Sequence, residues 1–304
     1  MTQRPAPPFG GNPFFNALIK ATQDQAFLGK IADSTQPALR RFLNRGNNRG
    51  LKRFLNGTWV GHPLHPVLTD IPVGAWTMAA IFDALALTTR DKSFAKAAAV
   101  CVGVGIGGAV AAAAAGLADW SDTAGRPKRV GLIHATCNSA ATIAYAASLA
   151  VRRSSQPLGA FLGFSGYALA TLGAGLGGHL VYGEGIGVNH AVADDLPIKF
   201  RPVMRAADLL EKTPHRVSLH GRNIVLVKYD GEIYALLDSC PHLGGPLSQG
   251  KLEECSIRCP WHGSRFALED GRVLEGPATL NAPTFATRLV NGRIEVRAFE
   301  SESP

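Results

Sequence analysis

Two short runs near the C-terminal end of this sequence carry its clearest chemistry. Cys240-Pro-His242 and Cys259-Pro-Trp-His262 each place one thiol close to one imidazole. Both side chains are soft or borderline metal ligands. A structural zinc site usually takes a Cys pair from one knuckle and a His pair from another, whereas here each arm offers one of each. Zinc on two Cys and two His is the simplest reading of the residue types. A centre of two irons suits the mixed arms better, one iron taking both cysteines and the other both histidines, because each arm then touches both metals. Cys255 lies between the arms at no ligand spacing and reads as an ordinary thiol. Cys101 and Cys137 lie in apolar runs, and the five cysteines together do not read as a disulfide framework.

The arms sit in a segment of short strands. RVSLHG, IVLVKYDGEIYALLD and GRIEVRAF alternate β-branched and polar residues, and KYDGEIY places a DG turn between two apolar strands. A small all-β domain over 197–300 is expected to hold the metal loops. Before it, GEGIGVNHAVADDLP reads as a linker, 186–196.

The preceding half is of another kind. Charged residues make up 18% of the chain and gather toward its two ends. Four apolar segments are each long enough for a bilayer: about Ile71–Thr88, Ala95–Ala118, Gly131–Val151 and Leu158–Tyr182. Gly103 and Gly107, and Gly173 and Gly177, form GxxxG pairs that favour close helix packing. The fold expected is therefore an N-terminal all-α transmembrane four-helix bundle, 59–185, plus the C-terminal all-β domain. Residues 1–58 read as a basic juxtamembrane segment whose Phe42, Leu43, Leu51, Phe54 and Leu55 would face lipid. Its first 13 residues are Pro- and Gly-rich with no apolar core, so no cleavable signal is expected, and RRFL at Arg40–Leu43 lacks the apolar run that an export signal would need. The net charge of +8 fits membrane lipid rather than nucleic acid, because the basic residues flank the apolar spans. Their balance between the loops favours both termini, and with them the β domain, on the cytoplasmic side of the cell membrane.

The tail resembles Rieske-type [2Fe–2S] domains in CPHLGGPLSQG, in CPWHGSRF and in the Gly276-Pro277 that follows. The resemblance implies that Cys240 and Cys259 hold an inner iron and that His242 and His262 hold an outer iron near solvent. It places Ser264 beside the cluster as a hydrogen-bond donor. Where quinol-oxidising members carry a disulfide, this chain has Gly244 and Trp261; where high-potential members carry a tyrosine, it has Phe266. Both departures imply the ferredoxin-type subgroup, a low potential and a reducing compartment. No histidine follows His262, so the mononuclear iron site of an oxygenase catalytic subunit is not expected. GHPLHPVLTDIPVGAW is similar to an uncharacterised family of four-pass bacterial membrane domains, sometimes joined to Rieske domains, and that resemblance spans about His62–Tyr182.

Polar residues of the spans cluster at one end: His62, His65 and Asp70, then Asp119, His134, Asn138 and His179, with Asp83 toward the other end. His134 and His179 are candidates for the axial pair of a haem b. The same residues would serve a metal ion or a quinone, or simply cap helix ends at the interface. His65 and Asp70 against His134 and Asn138 hint at an internal repeat. The function expected is a membrane-bound electron carrier with a reductase or oxidase as its redox partner. A membrane-anchored redox sensor is the alternative, with the helices as a plain anchor in either case.

Overall fold

The computed structural model describes residues 26–46, 48–192 and 196–299, with residues 17 and 20. The Pro- and Gly-rich residues 1–13, and Asp194 and Asp195 of the linker, lie outside them. The chain forms two compact units, Met1–Leu51 with Leu64–Ile186, and Lys52–Pro63 with Gly187–Pro304.

Among the described residues the N-terminal region holds six helices: α1 Ala26–Asn44, α2 Asn48–Asn56, α3 Leu64–Thr89, α4 Lys92–Trp120, α5 Gly125–Val151 and α6 Gln156–Tyr182. Three of them, α3, α4 and α6, are long and apolar enough to cross a membrane, where the sequence led us to expect four. Helix α5 is as long, but it opens on Arg126, Lys128 and Arg129 and carries His134 and Asn138, which dilutes its apolar character. The ends obey local rules. Asp91 caps α4 by accepting the Ser93 N–H at 2.8 Å, and Ser155 accepts from Leu158 with Pro157 in the first turn of α6.

Packing in the helical unit is inverted relative to a water-soluble core. Small residues are buried, among them Ala79, Ala98, Ala112, Ala115 and Ala141, while Val100, Ile143 and Phe161 are 66–69% exposed. Close approach of small residues and an apolar outer surface suit lipid. The GxxxG expectation holds on α6, where Gly173 lies against Asn138 and Gly177 against His134. On α4 it fails. Gly103 and Gly107 face open space, and Gly105 and Gly108 make the contacts, to Trp76 and to Ile71. A two-residue offset turns a helix by about 200°, so the hydropathy pattern located the helix without its packed face. Helix α1 joins this unit through Gln36 Nε2, which donates to the carbonyls of Trp120 at 2.7 Å and Thr123 at 2.9 Å. Of the apolar side expected on the basic segment, Leu43 is buried while Phe42, Leu51 and Phe54 stay exposed.

The repeat suggested by His65 and His134 has a counterpart in the helix packing, while its second pair, Asp70 with Asn138, is one residue out of register. Asp83 and Arg152 are 69 residues apart. The same step relates Trp76 to Tyr145 and His65 to His134, so Asp70 corresponds to Ser139 and not to Asn138. Each of these residues meets its own counterpart: Trp76 stacks on Tyr145 at 4.3 Å, and the rings of His65 and His134 lie 6.2 Å apart. A residue that contacts its own equivalent lies on the symmetry axis. The hairpins α3–α4 and α5–α6 are therefore related by a pseudo-twofold axis bearing three layers: His–His, Trp–Tyr and Asp–Arg. At about 1.5 Å per residue the layers are roughly 16 and 10 Å apart.

The second unit is β-rich. Strands β1 Arg201–Arg205, β10 Arg293–Ala298, β9 Thr284–Val290, β4 Glu232–Leu237, β3 Arg222–Tyr229 and β2 His215–Leu219 form an antiparallel sheet in that order. Strands β5 Lys251–Leu252, β6 Ser256–Arg258, β7 Arg265–Ala267 and β8 Val273–Glu275 form a smaller one. The expected hairpin pairs Tyr229 with Glu232 across Asp230 and Gly231, both at positive φ. Strand β3 is buried on both faces. Ile224 and Leu226 enter one core, while Val225 and Val227 enter a second that also contains Cys240, Cys259 and Phe266. Alternation along one strand thus ties the metal loops to the main sheet.

Asp83 and Arg152 form a bidentate pair with both bonds at 2.6 Å and side chains 1% and 6% exposed. Removing one partner strands a buried charge, so Asp83→Ala should destabilise the helical unit by about 3–5 kcal/mol. Asp83→Ala with Arg152→Ala should cost clearly less than the sum of the single changes. Unfolding of the detergent-solubilised protein, run as a double-mutant cycle, checks this.

Candidate metal centre

Each arm is a turn closed by the same two backbone bonds. Cys240 N–H donates to Gly245 O at 2.9 Å and Gly244 N–H to Cys240 O at 2.8 Å; Cys259 N–H donates to Ser264 O at 2.8 Å and Gly263 N–H to Cys259 O at 3.2 Å. Gly244 and Gly263 sit at φ +77° and +81°, conformations that a side chain would strain. All five cysteines of this chain are free thiols.

The arms bring the four expected side chains together as two pairs, sulfur with sulfur and ring with ring, with no three of them gathered around one point. Cys240 and Cys259 are buried, with their sulfurs hydrogen-bonded to each other. The rings of His242 and His262 meet edge to face at 4.9 Å. A Cβ on Gly245 would lie 2.8 Å from Cys259 Sγ, so only glycine lets the first arm close on the second. Nδ1 of His242 is buried with no hydrogen-bond partner, as a ligand atom awaiting its metal would be. Donor types, burial and this orphaned nitrogen fit a two-iron cluster held by two thiolates and two imidazoles.

Electrostatics prepare the ligands. Burial first, and then the positive potential of His262, Lys52 and His190, push His242 down to about 3, so its imidazole is neutral at ordinary pH. The hydrogen bond between the sulfurs lowers Cys259 to about 7 and, with burial, drives Cys240 far above the ordinary thiol range. One thiolate is thus available near neutrality, and the pair shares the remaining proton.

Neighbouring segments fix the arms. Buried Asp238, at the end of β4, accepts the Ser248 N–H at 2.6 Å and pairs with Arg216 at 2.7 Å. Ser264 Oγ is buried and accepts the Ala278 N–H at 2.9 Å, which leaves its own O–H to donate. Phe266 is fully buried and offers no donor. Cys255 is exposed, away from the buried pair.

Sequence reasoning missed two supports. His190, assigned to the linker, donates its N–H to Pro241 O at 3.1 Å and accepts from Ser239 Oγ at 2.8 Å, so the linker is laced to the first arm. Lys52, assigned to the membrane surface, is buried in the β unit, where Arg53 donates to Leu274 O at 3.2 Å and Thr58 lies against Gly276. No spacing signal marks either one, since both are brought in by chain segments outside the strands.

The two histidines proposed from sequence as an axial pair have different neighbours. His134 pairs with His65, whereas buried His179 lies 3.3 Å from Glu184, which also meets Arg126.

The family described as "Rieske [2Fe-2S] domain" matches residues 199–286, and "Predicted membrane protein (DUF2231)" matches 61–190. The ferredoxin component of the naphthalene 1,2-dioxygenase system of Pseudomonas putida is 32% identical over 101 residues, 33% of this chain and 97% of that protein. Human apoptosis-inducing factor 3 is 34% identical over 96 residues, 32% of this chain, and the chain spans only 16% of its length. Among solved structures, the ferredoxin of carbazole 1,9a-dioxygenase from Nocardioides aromaticivorans IC177 is 21% identical, covering 33% of this chain and 99% of that one, with a TM-score of 0.32.

The thiol shifts set the pH dependence of metal uptake. A group whose value is lowered holds its charge above that value and loses it as pH falls through it. Below about 7, Cys259 regains its proton and incoming metal must displace both. Iron bound by the apo-protein on anaerobic reconstitution should therefore fall as pH drops from about 8 to 6. His242 imposes no limit in that range.

Proposed function

This chain belongs to the Rieske [2Fe–2S] family as a ferredoxin-type domain joined to a DUF2231 membrane domain, and we propose that it is a membrane-bound one-electron carrier. The observation that carries this reading is a complete two-Cys, two-His cradle in the same chain as three helices long enough to cross a bilayer. When bound, the cluster supplies a one-electron couple. Cys240 and Cys259 would hold the inner iron within the apolar core, and His242 and His262 the outer iron. Trp261 is half exposed beside His262, so the second arm is the natural edge for a redox partner protein such as a reductase or oxidase.

In the same reading α5 joins the other three helices as a fourth span, with its basic first turn at the lipid headgroups. The protein is then a multi-pass component of the cell membrane in contact with its lipid, with the β unit on the cytoplasmic side. Electrons would pass on to a haem or quinone at the membrane. The free thiols agree with a reducing compartment.

The test uses the full chain in native membranes. Alkaline carbonate should leave it in the membrane, and dithionite should develop the electron-paramagnetic signal of a reduced Rieske cluster. A ferredoxin reductase of a dioxygenase system should develop the same signal. Release by carbonate, or a cluster that no protein donor reduces, would overturn the carrier reading. Ser264→Ala probes the tuning: a hydrogen bond worth about 1 kcal/mol more to the reduced state shifts a one-electron couple by roughly 40 mV. Potentiometry should find the variant lower by about that amount.

A further inference from the structure

The His–His layer of the helical unit is built as a ligand pair. His65 Nδ1 lies 2.8 Å from the Ala112 carbonyl, and His134 Nδ1 lies 2.8 Å from the Gly173 carbonyl. A carbonyl oxygen only accepts, so each Nδ1 carries the proton and each Nε2 is left with its lone pair; the Asn138 amide nitrogen lies 3.5 Å from the one on His134. A backbone carbonyl on the far nitrogen is the usual support of a metal-bound histidine, because it fixes both tautomer and ring orientation. Room for each ring comes from a glycine one turn further along the same neighbouring helix. A Cβ at Gly116 would lie 2.9 Å from the His65 ring, and one at Gly177 would lie 3.1 Å from the His134 ring. The arrangement therefore occurs twice, at equivalent places on the two hairpins.

A lone histidine bonded to a carbonyl needs no ligand to explain it. Two of them edge to face on a symmetry axis, with ring centres at a metal-bridged separation, are a different matter. With a metal–nitrogen bond of about 2.0 Å and about 1.1 Å from Nε2 to the ring centre, two imidazoles opposite each other on one metal have centres about 6.2 Å apart. At a tetrahedral angle the separation would be about 5 Å. The observed centroids are 6.2 Å apart with ring planes at 84°. Among the described residues no third His, Cys, Asp or Glu joins His65 and His134 in a metal-holding group. That disfavours a zinc ion or a facial-triad iron, which need a third protein ligand. It suits a metal that brings its other ligands, as haem iron does, or that is satisfied by two, as cuprous ion is.

We propose that His65 and His134 hold one redox-active metal between them on the pseudo-twofold axis of the helical unit. His179, which faces Glu184, is not part of this site. The site stands on geometry of the helical unit alone and does not depend on the Rieske domain.

The test is metal content of the full chain purified in detergent, as isolated and after incubation with hemin or with cuprous ion. The electron-paramagnetic signal of the reduced Rieske cluster serves as the separate readout of the other reading. Expected is one metal per chain beyond the two irons of the cluster. Pyridine-haemochrome bands would identify it as haem, and copper without those bands as a bare ion. His65→Ala and His134→Ala should each lower that metal at least tenfold while the cluster signal stays, and His179→Ala should leave it in place. A wild-type chain that holds only the cluster irons under all three conditions overturns the proposal. So does an extra metal that survives both substitutions.

Discussion

Two buried cysteine sulfurs hydrogen-bonded to each other, on the same two arms as a pair of touching imidazoles, are the arrangement on which the β unit depends. Without metal it is an awkward group: the thiols share a proton and His242 Nδ1 has no partner. Burying polar atoms unsatisfied costs roughly 1–3 kcal/mol each, so metal and fold support one another. Much of the local structure follows from closing the two arms. Gly244 and Gly263 supply left-handed turns, Gly245 leaves space for Cys259 Sγ, and Asp238 anchors the loop that follows the first arm. Strand β3 then connects this small core to the larger one by sending alternate side chains to each.

In the helical unit the difficulty is reversed. Its outer surface is apolar, so any polar group must find its partner inside. The solution is to stack such groups on one axis, each against its counterpart. Asp83 and Arg152 neutralise each other, and the apolar faces of Trp76 and Tyr145 stack. Small residues on the inward helix faces bring the hairpins close enough for these contacts.

The β unit was legible because its signals are local. The two Cys/His arms, the DG turn and the strand alternation each occupy a few adjacent residues, and each lies where it was expected. The helices were legible as apolar runs, and the lower hydropathy of α5, which carries His134 and Asn138 within its apolar stretch, was legible there too. Partnerships were not legible. Nothing in the sequence says which glycine on α4 faces Trp76, since offsets of two residues look alike in composition but point to different sides. His65 and His134 lie on helices that are not consecutive in the chain, so their meeting required the helix packing. Lys52 and His190 support the metal loops from segments that carry no motif at all.

Both units bring two similar segments together, and the departures from equivalence follow from what each pair must do. In the β unit His242 lies two residues after its cysteine and His262 three. The second arm thereby gains Trp261, which is half exposed, and the two histidines are not interchangeable. On the helical axis, equivalent positions meet themselves, so two identical charges would repel at close range with no water to screen them. Asp83 opposite Arg152 resolves that conflict by unlike residues. His65 opposite His134 does not need to, because an imidazole protonated only at Nδ1 is neutral. That neutral form leaves a lone pair on each Nε2, which at His134 has the Asn138 amide nitrogen 3.5 Å away and which the proposed metal would engage on both rings at once.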